Sequence, residues 1–324
     1  MSDLAIGIDL GGTNTRIALV NKTGQVIVSE EFPTESAQSG ESFIHAVSEQ
    51  IAAILEKEHC PRNDIQGIGL GSAGFLSPQD GIIYFSPNLP TLSNFPVANL
   101  LERETGIRTI LENDANAAAI GEYWLGSGKG INNFIFITLG TGLGSGIILN
   151  SEIWHGTHGF AGEFGHTILF PDGLPCKCGR KGCLEVYCSA SAIVYFIREK
   201  LKQGKLSSLG RERMPLTSRT IFEHASHGDP LACEIFRETG RYLGIALSNV
   251  FNLLDLQMAI IGGKVAEAGD LILKPVRDEV ERMAISSRYY PHQVLKSELG
   301  DNAGVLGAAS LVFRMRNEDC GLRN

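Results

Sequence analysis

Apolar and polar positions near the start of the chain alternate in short runs, LAIGIDL, TRIALV and VIVSEEF, and short apolar alternation of this length predicts strands. The next stretch, FIHAVSEQIAAILEKEH, changes to a helical period, and IQGIGLGSAG then returns to a strand. Strands and helices in alternation predict an α/β fold. A second strand-rich start follows at FIFITLG and GSGIILN. After it come a mostly helical stretch from Ser189 to Phe251, a buried strand at LQMAIIGG, and a terminal helix around Gly304 to Arg316. QGKLSSLGRERMPLTSRT is polar and reads as an exposed connection.

The pattern repeats. IDLGGTNTRIALV (Ile8 to Val20) and ITLGTGLGSGIIL (Ile137 to Leu149) each give an apolar strand, a tight turn rich in Gly and Thr, and a second apolar strand. Glycine suits such turns in two ways: it accepts positive φ, and its missing Cβ lets backbone N–H groups approach an anion. Two facing hairpins of this kind can grip one polyphosphate. Neither is GxGxxG opening a helix, and GxxxxGK[ST] is absent, so a dinucleotide-binding dehydrogenase and a P-loop NTPase are both disfavoured.

Composition narrows the partners. A chain of 324 residues with 43% hydrophobic content can bury one large core or two medium ones, and two domains are expected. With 28 Lys+Arg against 36 Asp+Glu, the net charge of −8 lacks the basic excess that a nucleic-acid partner requires. No apolar run approaches the roughly 18 residues of a membrane span, and the first strand begins at Leu4 without a basic leader. The expectation is a cytoplasmic protein with neither a membrane nor a nucleic-acid partner. Four of the seven cysteines are scattered (Cys60, Cys188, Cys233, Cys320) and three are clustered, which suits reduced thiols and a metal better than a disulfide framework.

Two stretches carry candidate chemistry. LENDANAAAIGEYW puts Asn113 and Asp114 where a strand ends and an Ala-rich helix begins, a common active-site position in α/β folds and also an ordinary place for helix caps. A helix N-terminus favours the ionised carboxylate, so Asp114 is expected to be available at neutral pH as a general base in phosphoryl transfer. GEFGHTILFPDGLPCKCGRKGCLE supplies His166, Cys176, Cys178 and Cys183. One imidazole and three thiols fill the four tetrahedral positions of zinc and leave none for water, so this Zn²⁺ would be structural. Glu163 and Glu185 flank the set, and metal binding would fix one relative to the other.

DLGGTN, ENDANAAAIGE, LGTGLGSGI, GEFGH and CKCGRKGCLE, taken together and in this order, resemble the ROK sugar kinases (repressor, open reading frame and kinase), especially their bacterial glucokinase-like members. The resemblance runs from about Ile6 to Gly307. It implies an α/β chain with the duplicated actin-like ATPase (ribonuclease H-like) fold, two domains with a cleft between them. A small domain over 1–112 would be rejoined by the last helix, about 303–324, and a large domain over 113–302 would contain the zinc segment.

By the same resemblance, Asp114 is the catalytic base and Gly74, Asn88, Asn113, Asp114, Glu163, His166 and Glu185 hold the sugar. His166 would serve zinc with one ring nitrogen and sugar with the other. ATP would be held by Gly11, Gly12, Thr13 and Asn14 from one hairpin and by Gly140, Thr141 and Gly142 from the other. Gly262 and Gly263 would lie by the adenosine, and Asp9 would position Mg²⁺ through water. The implied activity is ATP-dependent phosphorylation of a hexose, glucose first, in a homodimer or homotetramer. GSAG lacks the proline of the family's GxPG loop, and PNLP is followed by Thr91 and Leu92 rather than by tryptophan. N-acetylhexosamines, mannose and fructose therefore stay open. The same family includes sugar-sensing repressors, which carry a helix-turn-helix ahead of the sugar domain; the strand at Leu4 leaves no room for one.

Overall fold

The two glycine hairpins each start a five-stranded sheet. A computed structural model describes residues 3–34, 39–86, 89–211 and 215–319, with side chains to 314 outside the short gaps. In the first half, β1 (Leu4–Leu10), β2 (Asn14–Asn21) and β3 (Val26–Pro33) are followed by α1 (Gly40–Lys57) and β4 (Ile65–Ser72). A small hairpin, β5 (Phe75–Ser77) and β6 (Ile82–Phe85), then leads to α2 (Val97–Thr105), β7 (Thr109–Asn113) and α3 (Asp114–Leu125). The second half opens with β8 (Phe134–Leu139), β9 (Leu143–Leu149) and β10 (Glu152–Ile153), and continues through α4 (Glu185–Cys188), α5 (Ala190–Lys202), α6 (Ser218–Ser226) and α7 (Pro230–Leu254). It closes with β11 (Met258–Gly262), α8 (Asp270–Met283), β12 (Gln293–Lys296) and α9 (Ala303–Asp319).

The strand orders, β3-β2-β1-β4-β7 and β10-β9-β8-β11-β12, are the same order twice. In each sheet the first three strands pair antiparallel and the last two add in parallel. This is the duplicated actin-like arrangement that the repeated hairpin foreshadows.

Alternation along the central strands sorts side chains between two layers. Ile6, Ile8 and Leu10 of β1 join the core under α1 and α2, whereas Ala5 faces α9. Ile135, Ile137 and Leu139 of β8 join the core under α5 to α8, whereas Phe134 and Phe136 face α3. Helices α3 and α9 pack on each other between the two sheets. A helix buried on all sides must be thin, which explains why α3 reads DANAAAIGEYWL without a polar face.

The closeness of that layer rests on glycines. A Cβ on Gly307 would land on the Ala117 carbonyl of α3, one on Gly121 would lie 2.5 Å from the Ala303 carbonyl, and one on Gly69 would strike the Ala308 backbone. Each obstruction is backbone, which cannot rotate away. Gly307→Ala is therefore expected to cost about 3 kcal/mol, the upper end for an overpacked core, read as a lower denaturant midpoint. An unchanged midpoint would mean that the two helices separate freely.

Two sequence expectations change here. QGKLSSLGRERMPLTSRT is not wholly exposed: Ser208–Arg211 form a helical turn that buries Leu209, because the Asp229 cap of α7 also accepts bonds from the Ser207 and Ser208 side chains and the Ser208 amide. The glycines of the two main hairpins also do not use positive φ, since Gly11, Gly140 and Gly142 all lie outside the left-handed region. What Gly11 needs is space beside backbone, whereas at Gly142 the neighbour is a side-chain end that can shift. A Cβ on Gly11 would sit 2.8 Å from the Asn14 carbonyl, and one on Gly142 would collide with the Glu185 carboxylate.

Candidate active site

β7 ends at Asn113, and α3 begins at Asp114. Asn113 caps the helix, its Oδ1 accepting from the amides of Ala115 (2.9 Å) and Asn116 (3.2 Å). Asp114 Oδ1 also accepts from Ala115, at 2.9 Å. The capping expectation thus falls mainly on Asn113 and leaves the rest of the Asp114 carboxylate available. Burial pushes the Asp114 pKa above its usual value, and the backbone hydrogen bonds at the helix start only partly offset this. The helix terminus was expected to dominate; desolvation does instead, and the carboxylate becomes a stronger base.

Asp9 on β1 faces the same space. Burial raises its pKa to about 7, with Asp114, Asp301 and Glu31 adding repulsion and Arg16 opposing it. The start of α9 comes so close that a Cβ on Gly304 would lie 2.6 Å from Asp9 Oδ2. Several carboxylates with one guanidinium make a place that a divalent cation would relieve, so Asp9 fits the expected Mg²⁺ role.

The glycine hairpins are braced from below. At the first turn, Thr34 donates through Oγ1 to the Gly11 carbonyl and through its amide to the Thr13 carbonyl, both at 2.8 Å, while Asn14 Nδ2 donates to Glu31 at 2.6 Å. At the second turn, the Ala190 amide donates to the Gly140 carbonyl and Ser191 Oγ to the Thr141 carbonyl, both at 2.8 Å. Beyond its own chain neighbours, no heavy atom lies within 4 Å of where a Cβ on Gly140 would be, so the space over this turn is open. Gly262 and Gly263 end β11 beside β8: a Cβ would lie 2.9 Å from the Phe136 ring in one case and 2.5 Å from the Leu139 carbonyl in the other. That packing at Gly262, and packing together with a φ of +80° at Gly263, account for the two glycines whether or not adenosine lies alongside.

Of the residues that the resemblance assigns to sugar, Gly74, Asn113 and Glu163 line one recess. Gly74 adopts a φ of +122°, a conformation that other residues rarely reach. Burial raises the Glu163 pKa; His166 opposes the shift, and Asp114 and Glu185 add to it, so these groups share one electrostatic neighbourhood. His166 Nε2 lies 3.9 Å from Glu163 Oε2. Glu185 is turned toward the second hairpin, its Oε2 accepting from the Leu143 amide at 2.9 Å. Asn88 lies outside the described residues.

His166, Cys176, Cys178 and Cys183 bring four ligand atoms within 4.8 Å of one another. A tetrahedron with zinc–sulfur bonds of about 2.3 Å has edges of about 3.8 Å. Cys178 and Cys183 sulfurs are 3.6 Å apart, and Cys176 Sγ is 3.8 Å from His166 Nδ1. The donor set fits zinc. Nδ1 faces the Cys176 thiol, and Nε2 is turned away from the cluster toward Glu163.

Sequence reasoning missed Glu112, Asn116 and His155, which line the same recess. A glutamate within the strand TILEN was the available signal, since a carboxylate buried in a sheet must have a partner.

The chain matches the ROK family model over residues 5–315. It is 36% identical to a glucokinase of Halalkalibacterium halodurans over 96% of each chain. It is 31% identical to a xylose repressor of Caldicellulosiruptor bescii, over 95% of this chain and 77% of that one. Among solved structures, a ROK family glucokinase from Streptomyces griseus in complex with glucose and AMPPNP is similar with a TM-score of 0.83 and 35% identity, over 96% of this chain and 99% of that one.

Proposed function

Because this chain belongs to the ROK family, we propose that it is an ATP-dependent sugar kinase whose substrate is glucose and whose product is glucose 6-phosphate. The observation that carries this reading is the half-buried Asp114 carboxylate, next in the chain to Asn113 of the recess and close enough to Asp9 to raise its pKa. The first sheet with α9 serves as the small lobe, 1–112 and about 303–324, and residues 113–302 serve as the large one.

Glu163, His166, the backbone at Gly74 and the Nδ2 donor of Asn113, whose Oδ1 caps α3, orient the hydroxyls, since charged groups bond strongly to polyhydroxy ligands. The turns at 11–14 and 140–142 bind the ATP phosphates through backbone N–H groups, and Gly262 and Gly263 flank the adenosine. Mg²⁺, held near Asp9, supplies charge neutralisation to the phosphates. The sugar 6-oxygen attacks the γ-phosphorus, the bond to the bridging oxygen breaks, ADP leaves, and the hydroxyl proton passes to Asp114. Glu185 links the two functions, because its carboxylate braces the second hairpin while its charge acts on Glu163. Zinc on His166 and the three cysteines supplies rigidity, and its thiolates suit the reducing cytoplasm.

A coupled assay of ADP release over glucose, mannose, fructose, N-acetylglucosamine and N-acetylmannosamine tests the reading. Glucose is expected to give the highest kcat/KM. A higher value for an N-acetylhexosamine or for fructose would reassign the substrate. Sugar binding without turnover on any of them would favour the sensing role suggested by the repressor relative.

A further inference from the structure

The loop from Trp154 to Glu163 crosses the sugar recess and delivers Glu163 to it. Its ends are tied together, with the Ala161 amide donating to the His155 carbonyl at 3.0 Å and Ser145 Oγ bonding the Gly162 carbonyl. Facing it is Glu112, on β7 directly before Asn113 and only 3% exposed. Both carboxylate oxygens are used. Oε1 accepts from the Asn113 amide at 2.8 Å and from Asn116 Nδ2 at 3.0 Å, while Oε2 meets His155 Nε2 at 2.8 Å.

This carboxylate therefore touches the backbone of one sugar-side residue, the first turn of the helix that Asp114 begins, and the loop that carries Glu163. The hydrogen bond to Glu112 raises the His155 pKa above its usual value despite the opposing effect of burial, so the contact gains an ionic component. Because Nδ2 of Asn116 is committed to Glu112, its Oδ1 is fixed as an acceptor, and that atom is buried with no protein partner. A fully built structural network would have paired it.

We propose that Glu112, His155 and Asn116 are positioning residues that set the gap between the Asn113–Asp114 end of β7 and the Glu163 loop, and thereby set the affinity for sugar. The inference rests on the sugar-kinase reading and adds to it the device that spaces the two walls of the recess. Glu112 and His155 bond neither of the turns that take the phosphates, 11–14 and 140–142, so the effect falls on sugar rather than on nucleotide. Sugar hydroxyls that bridge the walls need both at hydrogen-bonding distance, and a shift of an ångström loses that fit.

The test compares wild type with His155→Ala and His155→Gln, measuring Kd for the tightest-binding sugar of the panel by calorimetry, together with KM and kcat. His155→Ala should weaken sugar binding and raise sugar KM by about tenfold or more, with kcat and the ATP KM changed by no more than about threefold. His155→Gln, whose amide can still donate to Glu112, should recover most of the loss. Wild-type sugar affinity in folded His155→Ala overturns the proposal, as does an equal loss of sugar and nucleotide affinity, which would mark a purely structural pair. A Gln variant no better than Ala overturns the hydrogen-bond basis. If wild type binds no sugar, the kinase reading itself fails and takes this inference with it.

Discussion

Asp114→Asn should lower kcat by about a thousandfold, within the range that a positioned base contributes, while the KM values for sugar and ATP stay within a few-fold. The substitution keeps the volume and an oxygen for the Ala115 amide, so the helix start is preserved. Only the capacity to take a proton is removed. The pH behaviour gives an independent check. Burial has raised the Asp114 pKa, so the folded carboxylate protonates more readily than the unfolded one, and its charge costs stability at pH values above the folded pKa. Asparagine removes that cost and also relieves the repulsion on Asp9. The variant should therefore unfold no earlier than wild type at pH 8, which separates loss of chemistry from loss of fold. The wild-type rate should fall on the acid side as Asp114 takes up its proton, at a pH above the ordinary aspartate range. Thousandfold loss in ADP release without loss of melting temperature is the expected pair of results. Sugar-dependent turnover that survives the substitution would remove the base assignment.

The sheets were legible because their strands begin with a repeated glycine hairpin, and the repeat survives as an identical strand order in the two halves. The Ala-rich run after Asp114 marked a helix, but its place between two sheets was not legible, since that depends on α9 arriving from nearly 200 residues away in sequence to pack on it. The short hairpin of β5 and β6 carries too few residues for its period to stand out. At the site, the residues that the sequence singles out are those whose type stands out by chemistry: Asp114, Glu163, His166 and the cysteines. Glu112 and His155 are 43 residues apart and mean nothing separately, so their pairing needs coordinates. The sign of the Asp114 shift needed them too, because a helix start can be read from sequence and the depth of burial cannot.

Cys178→Ser should remove most of the bound zinc and with it at least about tenfold of the sugar affinity, with a smaller loss of nucleotide affinity passed through Glu185 to the second hairpin. Cys178 is exposed, so the exchange of sulfur for oxygen opens no cavity and the consequences follow from the metal. Before metal binds, the three thiols differ. Burial raises Cys176, and burial with hydrogen bonds from its neighbours raises Cys183 to about 12. At Cys178 burial is outweighed by hydrogen bonds from Arg180 and the other two thiols, and its pKa is lowered to about 6. At neutral pH one thiolate is thus ready and two protons must leave as zinc enters, so zinc affinity should fall as pH falls. Serine takes away the ready ligand. A structural zinc contributes on the order of 10 kcal/mol to order its segment, and here the ordered segment includes His166, whose Nε2 faces Glu163. The loss should therefore pass through the imidazole to the sugar wall, while the first hairpin, braced by Thr34 and Glu31, stays as it is. Elemental analysis and sugar calorimetry on the same preparation read both quantities. If metal-free protein kept full sugar affinity, the histidine would be positioned by its own packing, and the cluster would be a brace for the loop alone.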